Sequence, residues 1–230
     1  MESGGPFVRL KITAMRAVAV LLVLLVAACG GKKEGTGEGG EPIGSSKPTD
    51  DTAREQARFD SERKPEKVIE ALGIKPGSRV ADVGAGTGLL TVHLARAVAP
   101  NGTVVATDID GAVLELLQSR LAAVGLAEIV ERRVVGSETP GLEAGAYDAI
   151  LLAEVDHYFT DEVAWLSAAT AALKPGGRIV ISNRIHHRTR SMAAAQKAGL
   201  VLQSESTPVP THFIAVFTAP PAPPPKKDGK

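Results

Sequence analysis

The 230-residue sequence contains a single cysteine, few aromatic residues and no excess of either charge. A lone cysteine excludes an internal disulfide framework and a zinc site built from several thiolates. Aromatic residues make up only 3% of the chain, which leaves little for stacking nucleic-acid bases. The 26 basic residues are balanced by 26 acidic ones, so no nucleic-acid partner is predicted. With 44% hydrophobic residues, the chain has enough apolar material for a globular core.

The N-terminal segment has the pattern of a targeting signal. Arg9, Lys11 and Arg16 precede an unbroken hydrophobic run of 12 residues, 17–28. A helix of that length covers about 18 Å, which is too short for a hydrocarbon core about 30 Å thick. The run therefore indicates a signal peptide, residues 1–28, rather than a membrane span.

The residues at the end of this run resemble the lipobox of bacterial lipoproteins, since Val26-Ala27-Ala28 leads directly into Cys29. The resemblance implies that Cys29 is lipidated and becomes the mature N-terminus. The protein would then be anchored to a membrane of the bacterial cell envelope, with its domain facing the periplasm. Gly30 after the cysteine slightly favours the outer membrane. The alternative interpretation is an ordinary secretory signal with an incidental cysteine.

Two segments of biased composition flank the central part of the chain. Residues 29–51 are rich in glycine and charge and predict a flexible tether, because they cannot bury enough apolar surface to offset the entropy of ordering. Residues 219–230 are rich in proline and lysine and predict a disordered tail. The globular domain is therefore expected at residues 52–218.

Strand and helix patterns alternate through this domain. Short apolar runs predict strands near 79–83, 103–107, 129–135, 147–153, 178–182, 200–203 and 212–218. Apolar residues at helical spacing predict helices near 65–72, 90–98, 114–124, 163–173 and 191–198, the fourth closed by Pro175-Gly176-Gly177. This order predicts an α/β fold, a Rossmann-like, doubly wound, mostly parallel seven-stranded sheet with helices on both faces. Ligands of such sheets bind beyond the carboxyl ends of the strands.

The first predicted strand leads into a glycine-rich turn, DVGAGTG, at residues 82–88. Helix–strand packing alone can require such a turn, and Leu89 breaks the G-x-G-x-x-G dinucleotide fingerprint. Asp108 ends the second predicted strand, where a carboxylate can accept hydrogen bonds from both hydroxyls of a ribose. The alternatives are helix capping, by Asp108 or at least as well by Asp110, and interaction of Asp82 with a helix dipole. As a set, these residues favour a nucleoside ligand.

Four motifs in this order resemble those of the class I S-adenosylmethionine-dependent methyltransferases. DVGAGTG is similar to the first motif of that family, ATDID to its ribose-binding acidic motif, YDAILLAEV to its fourth-strand motif, and ALKPGGRIVIS to the segment that enters its fifth strand. The similarity covers residues 65–182 and continues more weakly to Phe217. It implies that S-adenosylmethionine is the cofactor.

The resemblance also implies roles for individual residues. Asp82 would lie near the ammonium group of the cofactor, Asp108 would hold the ribose hydroxyls, and Ile109 would pack on the adenine. Glu154, after the fourth strand, would lie beneath the sulfonium. The residues expected to line the methionine and ribose parts are Gly84, Ala85, Gly86 and Gly88.

One departure from the family concerns the adenine amine. The loop after the third strand often carries an aspartate for this group, and here it reads Gly136-Ser137-Glu138. Ser137 and Glu138 are the residues expected to substitute.

Histidines follow the fourth and fifth predicted strands, at the edge where a methyl acceptor is expected. The chain resembles small methyltransferases of the ubiquinone-biosynthesis and arsenite groups, which place a histidine-containing run after the fourth strand. That likeness makes His157 the candidate general base, with His186 and His187 as further candidates. The alternative is that His157 only closes its loop and that the other two form a solvated turn. No metal site is predicted, because the spacing of these histidines matches no ligand motif.

These patterns predict a methyltransferase that acts on an unidentified small-molecule acceptor and is tethered to a membrane through Cys29. The alternative is a catalytically inactive binding protein of the same fold, because a supply of S-adenosylmethionine is not expected outside the cytoplasmic membrane. A nicotinamide oxidoreductase is disfavoured by Leu89. The charged residues 54–64 are either a lid over the cofactor or the end of the tether.

Overall fold

The structure is a computed structural model that describes residues 50–221. The predicted signal peptide, Cys29, residues 29–49 of the predicted tether and residues 222–230 of the predicted tail lie outside the described residues. The first helix begins at Asp50, so the last two residues assigned to the tether belong to that helix.

A seven-stranded sheet forms the centre of the described part, in the order β3-β2-β1-β4-β5-β7-β6. Strands β1 to β5 pair in parallel, and β7 runs antiparallel to both β5 and β6. The predicted α/β fold with a mostly parallel sheet is therefore confirmed. The strands are β1 (Arg79–Val83), β2 (Thr103–Asp108), β3 (Val130–Val134), β4 (Tyr147–Ala153), β5 (Leu173–Arg184), β6 (Val201–Val209) and β7 (His212–Thr218).

Six α-helices accompany the sheet in the described range. They are α1 (Asp50–Arg63), α2 (Pro65–Leu72), α3 (Thr91–Val98), α4 (Gly111–Ala123), α5 (Glu162–Thr170) and α6 (Arg188–Lys197). Helices α2, α3 and α4 supply one apolar cluster, and α5 and α6 supply a second one. Successive residues of β4 alternate between them, since Leu151 belongs to the first cluster while Ile150 and Leu152 belong to the second. Both faces of the central strands are therefore covered, as a parallel sheet requires.

The segment before β5 differs from the sequence-based prediction. Helix α5 ends at Thr170, and β5 already begins at Leu173 instead of Arg178. Pro175, Gly176 and Gly177 do not close a helix but lie in an irregular part of β5. There the register jumps, because Tyr147 pairs with Leu173 while Ala149 pairs with Arg178. Extra residues between two paired positions of a strand form a bulge. Proline and glycine are common in bulges as well as at helix ends, so the same residues fit both structures.

Two further elements differ from the patterns, because no pattern predicted helix α1 and β6 extends beyond the predicted range to Val209. Strands β1 and β4 match the predicted ranges. Within residues 50–221, no helix is both long enough and apolar enough to cross a membrane.

Candidate active site

The glycine-rich turn after β1 is held to the end of β2 by two hydrogen bonds from its backbone. The amide of Ala85 donates to the carbonyl oxygen of Thr107 at 3.0 Å. The amide of Gly86 donates to Asp108 Oδ2 at 2.9 Å. The turn and the carboxylate that was predicted from the sequence are thus brought together at the carboxyl edge of the sheet.

The three glycines of this turn are required for different physical reasons. A Cβ on Gly84 would lie 2.6 Å from the Val155 side chain, and a Cβ on Gly88 would lie 2.9 Å from Leu117. Both glycines therefore allow close packing. Gly86 has a φ of +55° and no atom within 4 Å of the position a Cβ would take. Its Cα faces open space, which fits a surface that receives a ligand.

Two cavities meet at Gly84 and Glu154, which line both. The smaller one has a volume of 250 Å³ and also includes residues of the glycine turn, Asp82 and two residues of α1, Phe59 and Arg63. The larger one has a volume of 360 Å³ and includes Asp108, Ile109, Ser137, Tyr158 and Trp165. A cavity of 630 Å³ between α2 and β6 shares no residue with these two.

Most of the predicted cofactor residues line one of the two joined cavities. Those that do are Asp82, Gly84, Ala85, Gly86, Asp108, Ile109, Ser137 and Glu154. Gly88 packs on Leu117 instead, and Glu138 accepts hydrogen bonds from Ser137 and Thr160. The expected adenine contact of Ser137 or Glu138 stays a prediction, and Ser137 is the one of the two that lines a cavity.

Asp108 and Asp110, at and just after the end of β2, have different roles: one caps a helix and the other lines a cavity. Asp110 accepts a hydrogen bond from the Ala112 amide at 2.8 Å and is the N-cap of α4. Asp108 accepts instead from the amides of Gly86 and Asp110, at 2.9 and 3.1 Å. The capping role is therefore filled by Asp110, and Asp108 remains at the cavity wall.

Asp82 is almost completely buried and borders the smaller cavity. Its Oδ2 accepts a hydrogen bond from the Thr91 hydroxyl at 2.7 Å. Burial and, to a smaller extent, the negative charge of Asp108 raise the pKa of Asp82 to about 6, in spite of the opposing hydrogen bond from Thr91. A cation placed in the cavity would favour the ionised carboxylate.

Glu154 is surrounded by three basic side chains that sequence reasoning did not connect with it. Its carboxylate is ion-paired with Arg63, accepts a hydrogen bond from Arg184 Nε at 2.9 Å, and lies 3.5 Å from His212 Nε2. Burial opposes its ionisation, but the hydrogen bonds and charges of Arg184 and Arg63 outweigh burial and hold the pKa of Glu154 below its usual value. The backbone of Glu154 has a φ of +54°, which is unfavourable for a residue with a side chain.

Helix α1 covers the smaller cavity. Asp60 lies 2.8 Å from His93 Nε2, and Gln56 Nε2 donates to the Leu89 carbonyl at 3.1 Å, so the helix rests on the residues just after the glycine turn. Arg63 then reaches Glu154. Of the two interpretations of residues 54–64, the structure supports the lid.

The histidines after β4 and β5 pack on one another; none of the three lines either cavity, but Tyr158, the residue after His157, lines the larger one. The rings of His157 and His187 are parallel within 15° at 4.0 Å, and His186 lies 4.1 Å from His187. His157 Nδ1 is 3.0 Å from Asn183 Nδ2, a contact that the sequence did not indicate. Among residues 50–221, no group of three or more His, Cys, Asp or Glu side chains is arranged to hold a metal ion.

Comparison with known proteins agrees with this geometry. Residues 81–179 match the model of a family described as a methyltransferase domain. The fold of the described residues is that of the class I methyltransferases.

Individual relatives and solved structures point to the same class. The ubiquinone/menaquinone biosynthesis C-methyltransferase UbiE of Teredinibacter turnerae is 34% identical over 114 residues, 50% of this chain and 46% of that protein. The chain thus spans about half the length of such curated relatives.

A methyltransferase structure from Aquifex aeolicus aligns with a TM-score of 0.65 at 19% identity, covering 71% of this chain and 96% of that one. The geranyl diphosphate C-methyltransferase of Streptomyces coelicolor, solved with S-adenosyl-L-homocysteine, aligns with a TM-score of 0.59 at 17% identity, covering 78% and 86%. At these identities the structures show the fold alone. They agree with the predicted fold, and the match of residues 81–179 to a methyltransferase domain is the finding that connects this segment with methyl transfer.

The raised pKa of Asp82 predicts a pH-dependent contribution to stability. Between pH 4 and 6 the unfolded chain loses the proton of Asp82 while the folded chain retains it, so stability falls as pH rises. Relative to an Asp82→Asn variant, which keeps an acceptor for Thr91, the wild-type chain should lose about 2 kcal/mol between pH 4 and 7. Denaturant unfolding of both proteins across this range measures the difference, and a difference independent of pH would contradict the raised pKa.

Proposed function

We propose that this chain binds S-adenosylmethionine in the two joined cavities and transfers its methyl group to a small-molecule acceptor. The observation that carries the proposal is the open space at Gly86, between Asp82 and Asp108, within the segment that matches a methyltransferase domain. The 34% identity to UbiE over half of this chain supports the same activity.

The residues at the cavity walls fit the charges of this cofactor. The buried carboxylate of Asp82 would receive the ammonium group, whose positive charge offsets the cost of ionising Asp82. Asp108 would accept hydrogen bonds from the ribose hydroxyls, and the exposed side chain of Ile109 would cover one face of the adenine. When bound, the cofactor supplies a methyl group on a positively charged sulfur.

The chain's own contribution to such a transfer is alignment. Displacement at a methyl carbon needs the acceptor and the sulfur in line, and holding them in place can lower the barrier by several kcal/mol without a catalytic side chain. Glu154, which borders both cavities, is fixed by Arg63 from α1 and Arg184 from β5. The two cations keep this carboxylate in one position below the proposed sulfonium.

A catalytically inactive binding protein of the same fold is the competing proposal. What favours it is the N-terminal sequence, which predicts export to a compartment where S-adenosylmethionine is not expected. Both proposals require the same ligand site. They differ in turnover, which release of S-adenosylhomocysteine in the presence of an acceptor would demonstrate.

Ligand binding should be lost when the open space at Gly86 is filled. A ligand at a hundred-fold excess over Kd stabilises the native state by about 2.7 kcal/mol, enough to raise the melting temperature by several degrees. S-adenosylhomocysteine should give this shift with the wild-type chain and none with Gly86→Val, measured by thermal melting.

The matched control for that experiment is Gly145→Val. Gly145 also has a positive φ, +62°, and open space around a Cβ, but it precedes β4 at the opposite edge of the sheet. Both variants should melt lower without ligand because valine is strained at positive φ. Only Gly145→Val should keep the shift, and a shift retained by Gly86→Val would contradict the proposed site.

We further propose that the chain is anchored in the cell envelope by lipidation of Cys29. Support comes from the basic N-terminal stretch, the short apolar run and the position of the only cysteine. Each buried CH₂ of an acyl chain contributes about 0.8 kcal/mol, so more than one chain gives durable attachment.

Replacement of Cys29 by alanine should abolish this anchoring. The Cys29→Ala protein should move from the detergent-soluble membrane fraction to precursor or soluble pools and lack the added mass of the acyl chains. Fractionation and intact-mass spectrometry of both proteins provide the measurement. Unchanged partitioning and mass would show that Cys29 is not lipidated.

A further inference from the structure

The side-chain amide of Asn183 lies in the interior of the described part, at the carboxyl end of β5, and its contacts determine its orientation. Its exposed fraction is 0%. Asn183 Oδ1 accepts a hydrogen bond from the Arg184 backbone amide at 2.7 Å. Its Nδ2 lies 2.6 Å from Asp156 Oδ1 and 3.0 Å from His157 Nδ1. The amide therefore contacts one obligatory donor, one acceptor and one imidazole nitrogen.

This arrangement admits only one orientation of the amide. A backbone N–H can only donate, so the Asn183 atom that faces Arg184 must be the oxygen. The reverse orientation would place the NH₂ group against that N–H and the oxygen against the Asp156 carboxylate. The two hydrogens of Nδ2 are accordingly directed at Asp156 and at His157.

The orientation of Asn183 in turn determines which nitrogen of His157 carries the proton. Nδ1 accepts a hydrogen bond from Asn183, so in the neutral ring the proton must be on Nε2. The ring is only partly buried, and Nε2 has no hydrogen-bond partner in the described part of the chain. Nε2–H is thus free to donate, and His157 directly precedes Tyr158, which lines the larger cavity.

The groups around His157 favour its neutral form. Burial has the largest effect and lowers the pKa of His157, and the stacked His187 and the Arg190 guanidinium of α6 act in the same direction. The carboxylates of Asp156 and Glu154 oppose them without reversing the direction. The neighbouring Tyr158 ring packs on it at 4.1 Å. The tautomer set by Asn183 is therefore the form expected at neutral pH.

We propose that Asn183 is a positioning residue that holds His157 in the Nε2–H tautomer, so that His157 donates a hydrogen bond to the methyl acceptor instead of removing its proton. This role of His157 rests on the proposed methyltransferase function. Donation by His157 replaces the general-base role predicted from the sequence, because neither ring nitrogen then offers a free lone pair to the acceptor.

A donor at this position fits one chemical class of acceptor. A neutral N–H stabilises an oxygen that carries negative charge, such as that of an enolate or a phenolate, and does not remove a proton. The anionic acceptor forms its new bond to the methyl carbon while the electron pair of the carbon–sulfur bond returns to sulfur. No proton moves in that step. A neutral aliphatic alcohol, which would need a base, does not fit.

Nitrogen NMR of the full chain labelled with ¹⁵N-histidine tests the proposal without any substrate. The five histidines give separate ring signals, and a His157→Gln variant identifies those of His157. The wild-type chain should show His157 almost entirely as the Nε2–H tautomer, with a pKa below that of free histidine. An Nδ1–H tautomer, or the mixture that free histidine shows, would overturn the proposal whether or not any variant folds.

A matched pair of variants separates positioning from general packing. Asn183→Ala removes the donor to His157, whereas Ser191→Ala removes a different buried donor to the same Asp156 carboxylate and does not contact His157. Asn183→Ala should convert the His157 signals to a mixture of tautomers, and Ser191→Ala should leave them unchanged. Equal effects of both variants, or none from Asn183→Ala, would overturn the positioning role.

Thermal melting of the same samples tests the proposed function separately from the role of Asn183. Addition of S-adenosylhomocysteine should raise the melting temperature of the wild-type chain regardless of the His157 tautomer. A Nε2–H tautomer without such a shift would support the role of Asn183 in setting the tautomer and overturn the proposed function, and with it the donation to a methyl acceptor. The shift together with the wrong tautomer would overturn only the role of Asn183.

Discussion

The glycine turn packs against the ends of β2 and β4, and this packing positions the other groups of the site. Gly84 brings the turn so close to Val155 that any Cβ would overlap it, and the Gly86 amide is bound by Asp108. Parallel strands end at one edge, so this contact sets the position of Glu154, which directly precedes Val155. The two cavities share Gly84 and Glu154 because the turn and the loop after β4 meet there.

Local sequence patterns were sufficient to predict those parts of the structure that are determined by residues close together in the sequence. Apolar runs between glycines and prolines gave the strands, and the spacing of Asp82, the glycines and Asp108 gave the cavity wall. Among the strands, the patterns missed the start of β5 and the extension of β6 to Val209. A proline and two glycines can end a helix or form a bulge, and only the pairing with β4 decides between them.

Contacts between distant elements could not be predicted in this way. Arg184 of β5 and His212 of β7 meet at Glu154 because the antiparallel pairing of these strands places the two residues opposite each other. Arg63 reaches the same carboxylate from the end of α1. The contact between Asn183 and His157 likewise joins the ends of β5 and β4. Neither periodicity nor spacing shows which side chains at the ends of two strands face each other. The residue type of His157 therefore could not show that Asn183 contacts its ring.

Binding of S-adenosylmethionine at this edge of the sheet can be measured by isothermal titration calorimetry with S-adenosylhomocysteine and, as a comparison, NAD. We expect saturable binding of one S-adenosylhomocysteine per chain and no comparable binding of NAD, because Leu89 interrupts the dinucleotide fingerprint. Absence of binding at millimolar S-adenosylhomocysteine, or equal binding of NAD, would contradict this expectation.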